Sequence, residues 1–200
     1  GSLAGYRPTD NESPDNEAGF TGGLIQEYEA GDLRRDVTFQ RTLGSNTQQR
    51  WLTWKHHVLG TGATGQVNFP IYRLAEMYLI YAEASNELGL LDPTGLDYLN
   101  QLRRRAFGLP LTTTSERDIP GGLTQAEYRD LIRSERRKEL AMENKRWFDL
   151  QRYGAEYATQ VLKLNQGRDN FTPEKLLLPI ARIELINNPR LEQNPGYAGR

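Results

Sequence analysis

The stretch Glu135-Arg-Arg-Lys-Glu-Leu-Ala-Met-Glu-Asn-Lys-Arg-Trp-Phe-Asp-Leu-Gln-Arg-Tyr-Gly154 constrains the fold of this chain more than any other. Together with the residues before it, Tyr128, Leu131, Ile132, Glu135, Glu139, Met142 and Glu143 recur at three- and four-residue steps. Carboxylates therefore share one helix face with apolar side chains. A face that buries Tyr128 and Ile132 also takes Glu135 and Glu139 out of water, and buried acids persist only when paired. The spacing predicts a structural ion-pair network of Glu135, Arg136, Glu139, Arg146, Asp149 and Arg152. Arg104, Arg146 and Arg152 are the expected partners of Glu135 or Glu139. A catalytic reading is available, because glycoside hydrolysis uses two carboxylates flanking the scissile bond. Both acids, however, project from one helix a turn apart, and interleaved arginines would hold both ionised. No catalytic residue is assigned.

The remaining periodicity predicts a mainly α chain. Pro70 can occupy the first turn of a helix over 70–89, with Ile71, Leu74, Met77, Tyr78, Tyr81, Ala82, Ser85 and Leu88 as the apolar face and Gly89 as the stop. Asp92-Pro93 offers a cap and first-turn proline for a helix over about 95–107, with Leu96, Leu99, Leu102 and Ala106 inward and Gly108 and Pro110 ending it. Thr124-Gln-Ala-Glu127 is a capping box. It opens helical structure over about 125–153, broken at Asn144 or Lys145 and stopped by Gly154; Trp147 and Phe148 read as core. The pair 70–107 has the length of a tetratricopeptide hairpin, and such units need about three or more to stack stably. Leu176–Ile180 reads as a packed extended stretch, Ile183–Ile186 as one helical turn, and Asn188–Gly196 as an irregular strap over the helices. The expected organisation is a loop-rich segment 1–69, a helical core 70–154 and an extended strap 155–200. Within the first, Val37-Thr-Phe39 and Trp51-Leu-Thr-Trp54 are β-like, and Gly60–Gly65 reads as a connector.

Composition excludes several functions. A formal charge of −1 and a pI near 6.2 leave no electrostatic footprint for nucleic acid or anionic membrane. With no cysteine, disulfide and thiol chemistry are unavailable. No apolar run approaches the roughly 18 residues that span a bilayer. The glycines of 60–65 are not spaced as a phosphate loop and no Gly-Lys-Ser/Thr follows them. His56 and His57 point to opposite sides of a strand, and no cysteine or third histidine completes a zinc site, so neither metal nor cofactor is expected.

Trp51 and Trp54 are the candidate ligand contacts. They lie in a loop-rich region beside Arg50, Lys55 and His56. Aromatic rings stack on the C–H faces of sugars while polar neighbours hydrogen-bond to hydroxyls; packing of a loop onto the helices would explain the same tryptophans. Asp32, Arg34 and Arg35 could form a ligand rim or a turn-stabilising ion pair.

Five segments in order carry a resemblance. Tyr28-Glu-Ala-Gly-Asp-Leu-Arg-Arg35, Pro70–Ala84, Leu99–Ala106, the run Glu135–Gly154, and Leu176–Pro189 with Gln193-Asn-Pro-Gly-Tyr197 resemble the SusD/RagB family of surface glycan-binding lipoproteins of Bacteroidetes. Ala181 stands where that family commonly has a second proline, and Asn144 where it commonly has glycine. The resemblance implies a TPR-like helical fold and a non-catalytic protein that binds an oligosaccharide or other nutrient. It also implies work with a SusC-like TonB-dependent transporter, on the outward face of the outer membrane. By the same resemblance the chain is expected to be the C-terminal portion of such a protein, with an N-terminal half and lipid-bearing cysteine elsewhere. The reading from another class is a helical-repeat scaffold that binds a protein and no sugar.

Overall fold

The computed structural model describes residues 24–43, 49–53, 55, 70–89, 92–165 and 168–198. They fall into two compact units, one ending at Lys145 and the other beginning at Arg146.

The first unit is built on three helices: α2 (Leu74–Glu87), α3 (Pro93–Ala106) and α4 (Gln125–Glu139). The starts of α3 and α4 are chemically specified. Asp92 accepts the backbone N–H of Thr94 ahead of a first-turn proline, and Thr124 with Glu127 forms the reciprocal capping box. Gly89 and Gly108 take the left-handed conformation after α2 and α3. Between the helices lies an apolar cluster of Ala75, Leu79, Ala82, Leu99, Leu102, Ile119, Tyr128, Ile132 and Leu140. At Gly95 a Cβ would stand 3.3 Å from the Ala82 Cα, so its absence lets α3 approach α2 closely.

Two expectations about α2 are corrected. The helix begins at Leu74, not in a first turn at Pro70, and Arg73 is its N-cap residue, extended (φ −145°, ψ 160°) as that position usually is. Its buried face is also different: Ala75, Glu76, Leu79, Ala82, Ser85 and Asn86 face inward. Ile71, Tyr72, Leu74 (65% exposed), Met77, Tyr81 and Leu88 face outward. Leu74–Ala82 is apolar nearly all round, so period alone could not orient it. Small residues admitting a neighbouring helix decide the inward face. Tyr78 is half-buried and stacks on Tyr98, with ring centroids 4.2 Å apart.

Before these helices, Ile25–Glu27 forms a 3-10 turn and α1 spans Leu33–Thr38. β1 (Phe39–Leu43) and β2 (Gln49–Thr53) then pair as an antiparallel hairpin in the register Phe39↔Thr53 to Leu43↔Gln49. Val37 and Thr38 thus end a helix, and the strand begins only at Phe39. At the other end, α4 stops at Glu139, ahead of the break expected at Asn144 or Lys145. The turn that follows puts Met142 and Asn144 at φ 63° and 58°. Glycine would hold the second position without strain, and asparagine is among the few other residues that tolerate it.

The second unit contains α5 (Arg146–Tyr153), α6 (Ala155–Thr159) with a π-helical continuation Gln160–Asn165, a 3-10 turn Pro173–Leu176, and α7 (Arg182–Asn187). Leu150, Ala158 and Phe171 are its apolar centre, joined by Tyr157, Leu162 and Leu176. Phe148, expected in the core, is 65% exposed, and Trp147 is half-buried. Leu177 and Leu178, expected to pack, are also exposed. An eight-residue helix can turn only one stripe inward, and Asp149 and Leu150 take it. The C-terminal segment is tied to 177–180 through side-chain amides. Gln193 accepts the Ile180 N–H at 2.7 Å and donates to the Ile180 carbonyl at 2.9 Å, while Asn194 donates to Leu178 O and Tyr197 to Leu177 O.

Candidate functional site

The polar centre of the first unit forms around the last two turns of α4. Glu135 and Glu139 sit one turn apart on its inward face, 1% and 3% exposed. Glu135 meets Arg34 at 2.9 Å, Arg103 at 2.6 Å and Lys138 at 2.7 Å. Glu139 meets Arg73 at 2.6 Å, Arg34 at 3.3 Å, and Arg105. Arg34 is shared between both acids and is gripped from behind by Asp32, through Nε at 2.9 Å and Nη2 at 2.6 Å. Asp32 also caps α1 by accepting the Arg34 N–H. Arg103 continues outward to Glu29 at 2.9 Å. Arg73 continues to Glu143, donating to its two oxygens at 2.8 Å each.

The electrostatics favour the charged forms of Glu135, Glu139 and Glu143. Burial pushes Glu139 up, but the guanidinium groups of Arg105 and Arg73 outweigh it and bring the group down to about 2. Glu135 is likewise lowered, burial being overcome by Arg34, Lys138 and Arg103, and Glu143 is lowered by Arg73 and Lys55 against the same burial. Tyr28, whose hydroxyl donates to the Lys138 carbonyl at 2.9 Å, is pushed up to about 12 by burial. A carboxyl held ionised has no proton to donate as a general acid. Chemically, this centre suits locking helices and a leading segment together.

The predicted network residues separate into two groups. Glu135, Arg136 and Glu139 lie in the first unit, where Arg136 pairs with Glu76 at 3.3 Å. Arg146, Asp149 and Arg152 lie in the second, where Arg152 holds Asp149 at 3.2 Å and the Arg146 guanidinium lies 5.8 Å from the Tyr157 ring centre. The cations on Glu135 and Glu139 are thus Arg34, Arg73, Arg103, Arg105 and Lys138. Arg104, expected in that role, turns to Asp118 (Nε to Oδ1 2.8 Å) and the Leu111 carbonyl. Arg103, Arg104 and Arg105 are consecutive and project about 100° apart around α3, and it is Arg103 and Arg105 that reach the acids of α4. Arg34 does form the local ion pair with Asp32 that the sequence allowed, but sequence reasoning missed its reach to Glu135 and Glu139, and missed Arg73 and Glu76. For the two arginines the obstacle was distance: Arg34 lies 101 residues from Glu135 and Arg73 lies 66 from Glu139. Glu76 is buried within an apolar run and is met by Lys145 at 3.0 Å as well as by Arg136. Arg35 makes a surface pair with Asp36.

Trp51 lies in β2, its position paired with Arg41; Trp54, His56 and His57 lie outside the described residues. Lys55, just beyond β2, places Nζ 2.6 Å from the Glu139 carbonyl and 2.5 Å from Glu143. Among the described residues no group of His, Asp and Glu could hold a metal ion, and no helix is long and apolar enough to cross a membrane.

Comparison with known proteins places this arrangement. The SusD family profile matches residues 15–197. "SusD-like protein P2" of Formosa agariphila is 37% identical over 199 residues; the alignment covers 87% of this chain and 39% of that relative. The chain therefore spans about two fifths of that relative's length. A solved SusD homologue of Bacteroides thetaiotaomicron superimposes with a TM-score of 0.68 at 24% identity, covering 84% of this chain and 41% of its own, a likeness of fold. A Bacteroides vulgatus structure described as a "putative sugar binding protein" gives 0.59 at 26% identity, covering 88% and 38%. With its mainly helical fold and a profile match from residue 15 to residue 197, the chain belongs to the SusD family.

Proposed function

We propose that this chain is the C-terminal part of a non-catalytic, lipid-anchored surface protein that binds an oligosaccharide and works with a TonB-dependent outer-membrane transporter in its uptake. The observation that carries the reading is membership of the SusD family, supported by the solved relative described as sugar-binding. The ionic centre fits a frame: it spends its charges on itself and keeps both acids ionised, which suits rigid presentation of neighbouring loops better than proton transfer. Sugar contact from this part falls to Trp51 and Trp54, by stacking on a pyranose face. The outward apolar stripe of α2, Leu74, Met77 and Tyr81, with Ile71 before it and Leu88 after it, is the surface on which the N-terminal half of the same polypeptide would stack, because a lone helical hairpin cannot bury both faces.

Isothermal titration of the full-length polypeptide with maltohexaose, laminarihexaose, xylohexaose and chitohexaose tests the proposal. Binding of at least one is expected with Kd in the micromolar-to-millimolar range, about −4 to −8 kcal/mol, weakened by Trp51→Ala or Trp54→Ala. Absence of binding to all four, together with capture of a defined protein partner through the α2 stripe, would favour the scaffold reading. Turnover of any of them would overturn the non-catalytic one.

A further inference from the structure

We infer that Lys55 is a positioning residue: with Tyr28 it ties the base of the Trp51 hairpin to two consecutive carbonyls at the end of α4. This rests on the reading of Trp51 as a sugar contact. The geometry is that of a two-point mount. At one corner, Phe39 opens β1, is buried, and meets the Tyr28 ring edge-on at 6.3 Å, while the Tyr28 hydroxyl donates to Lys138 O at 2.9 Å. At the other corner, Thr53 pairs with Phe39, and two residues later Lys55 donates to Glu139 O at 2.6 Å. The last carbonyls of an α-helix lack intrahelical partners. The Tyr28 phenol, packed on the first residue of the hairpin, and the Lys55 ammonium group, two residues past its end, use two of them here.

Charge reinforces the second point. Lys55 is half-buried and meets Glu143 at 2.5 Å, and the negative end of α4 favours a cation at that place. Burial lowers its basicity, and Glu143 partly restores it. The bond is therefore a charge-assisted one, roughly twice as strong as a neutral one. Lys55 is also separable from the frame. Arg73 donates to the same Glu139 carbonyl at 2.6 Å and to both oxygens of Glu143. Removing the ammonium group thus leaves neither acceptor without a donor, and the three helices should stand while the hairpin loses one mount.

The experiment is Lys55→Met in the full-length polypeptide, read by amide hydrogen exchange and by titration with the hexasaccharide that binds the parent. Exchange across 49–53 should quicken about tenfold, the loss of one charge-assisted hydrogen bond at ~1.4 kcal/mol per decade. Exchange across 128–136 in α4 should stay within about twofold, as a local opening requires. Hexasaccharide affinity should fall about five- to tenfold, and Lys55→Arg, which keeps a cation at the helix end, should restore much of both. Unchanged exchange at 49–53, or equal quickening in the hairpin and α4, would overturn the inference, the second because Lys55 would then be an ordinary stabilising residue. Trp51→Ala separates the two ideas. If that variant binds normally while Lys55→Met loosens the hairpin, the mount stands and the sugar role of Trp51 falls. If Trp51→Ala loses binding while Lys55→Met changes nothing, the mount falls and the sugar role stands.

Discussion

Glu139→Gln isolates the charge of the ionic centre, because the amide has the size of the protonated acid and cannot ionise. In the folded protein the carboxyl titrates at about 2 against an ordinary 4.5. That separation of about 2.5 pH units, at ~1.4 kcal/mol each, makes ionised Glu139 contribute about 3 kcal/mol at neutral pH. The figure sits at the low end of the roughly 3–5 kcal/mol for breaking a buried pair, and the structure says why. Arg34 keeps Asp32 and Glu135, Arg73 keeps Glu143, and Arg105 is 49% exposed and can turn to water. The sign in pH follows from a lowered folded value. The contribution is fully present above about pH 4.5 and is lost as pH falls through about 2. Urea unfolding of the full-length polypeptide should therefore show parent and variant about 3 kcal/mol apart at pH 7 and converging towards pH 2. A gap at pH 7 below about 0.5 kcal/mol, the size of a solvated surface pair, would refute the reasoning. So would a gap that does not change with pH.

Asn144→Gly should raise stability by about 0.5 kcal/mol, because glycine occupies the left-handed region without the Cβ cost that Asn144 bears at φ 58°; thermal melts would register it. Thr124→Ala should cost about 1 kcal/mol in denaturant titration by removing the cap of α4. Leu74→Asp should be nearly neutral in the 200-residue chain, within about 0.5 kcal/mol for an exposed site. In the full-length polypeptide it should cost about 2 kcal/mol or more if the α2 stripe is covered there.

What could be read from the sequence was local. The caps at Asp92 and Thr124, the glycine stops at 89, 108 and 154, and the inward face of α3 all depend on residues within a few positions of each other. The structure has each of them. What could not be read depended on choices among equals. α2 offers apolar residues on every side, and its inward face is set by α3 and α4 fitting against alanines and a serine. Glu139 lies amid arginines near in sequence, yet it is met by Arg73 and Arg34 from 66 and 105 residues away. Composition announced that pairing was needed; only the fold selects partners. Phe148 illustrates the converse: the break before Arg146 and Gly154 after Tyr153 make the span of α5 legible, but not which stripe of so short a helix turns inward, and Asp149 and Leu150 take it.

The ion pairs that hold residues 27–34 also bear on how the chain assembles. Every member of the main apolar cluster lies between Ala75 and Leu140, so α2, α3 and α4 can collapse through contacts close along the chain. The segment carrying Glu27, Glu29, Asp32 and Arg34 meets α4 across separations of 101 to 110 residues, and these four side chains are content in water until a receptor surface exists. Long loop closure rewarded mainly by ion pairs makes such docking late. Arg34→Met should accordingly speed unfolding in stopped-flow experiments while leaving the refolding rate unchanged. There is an advantage in that order. A leading segment that waits for its partners mainly as hydrated charge offers neighbouring chains little apolar surface during the interval, whereas one that docked through leucines would be an aggregation hazard for as long as α4 was missing.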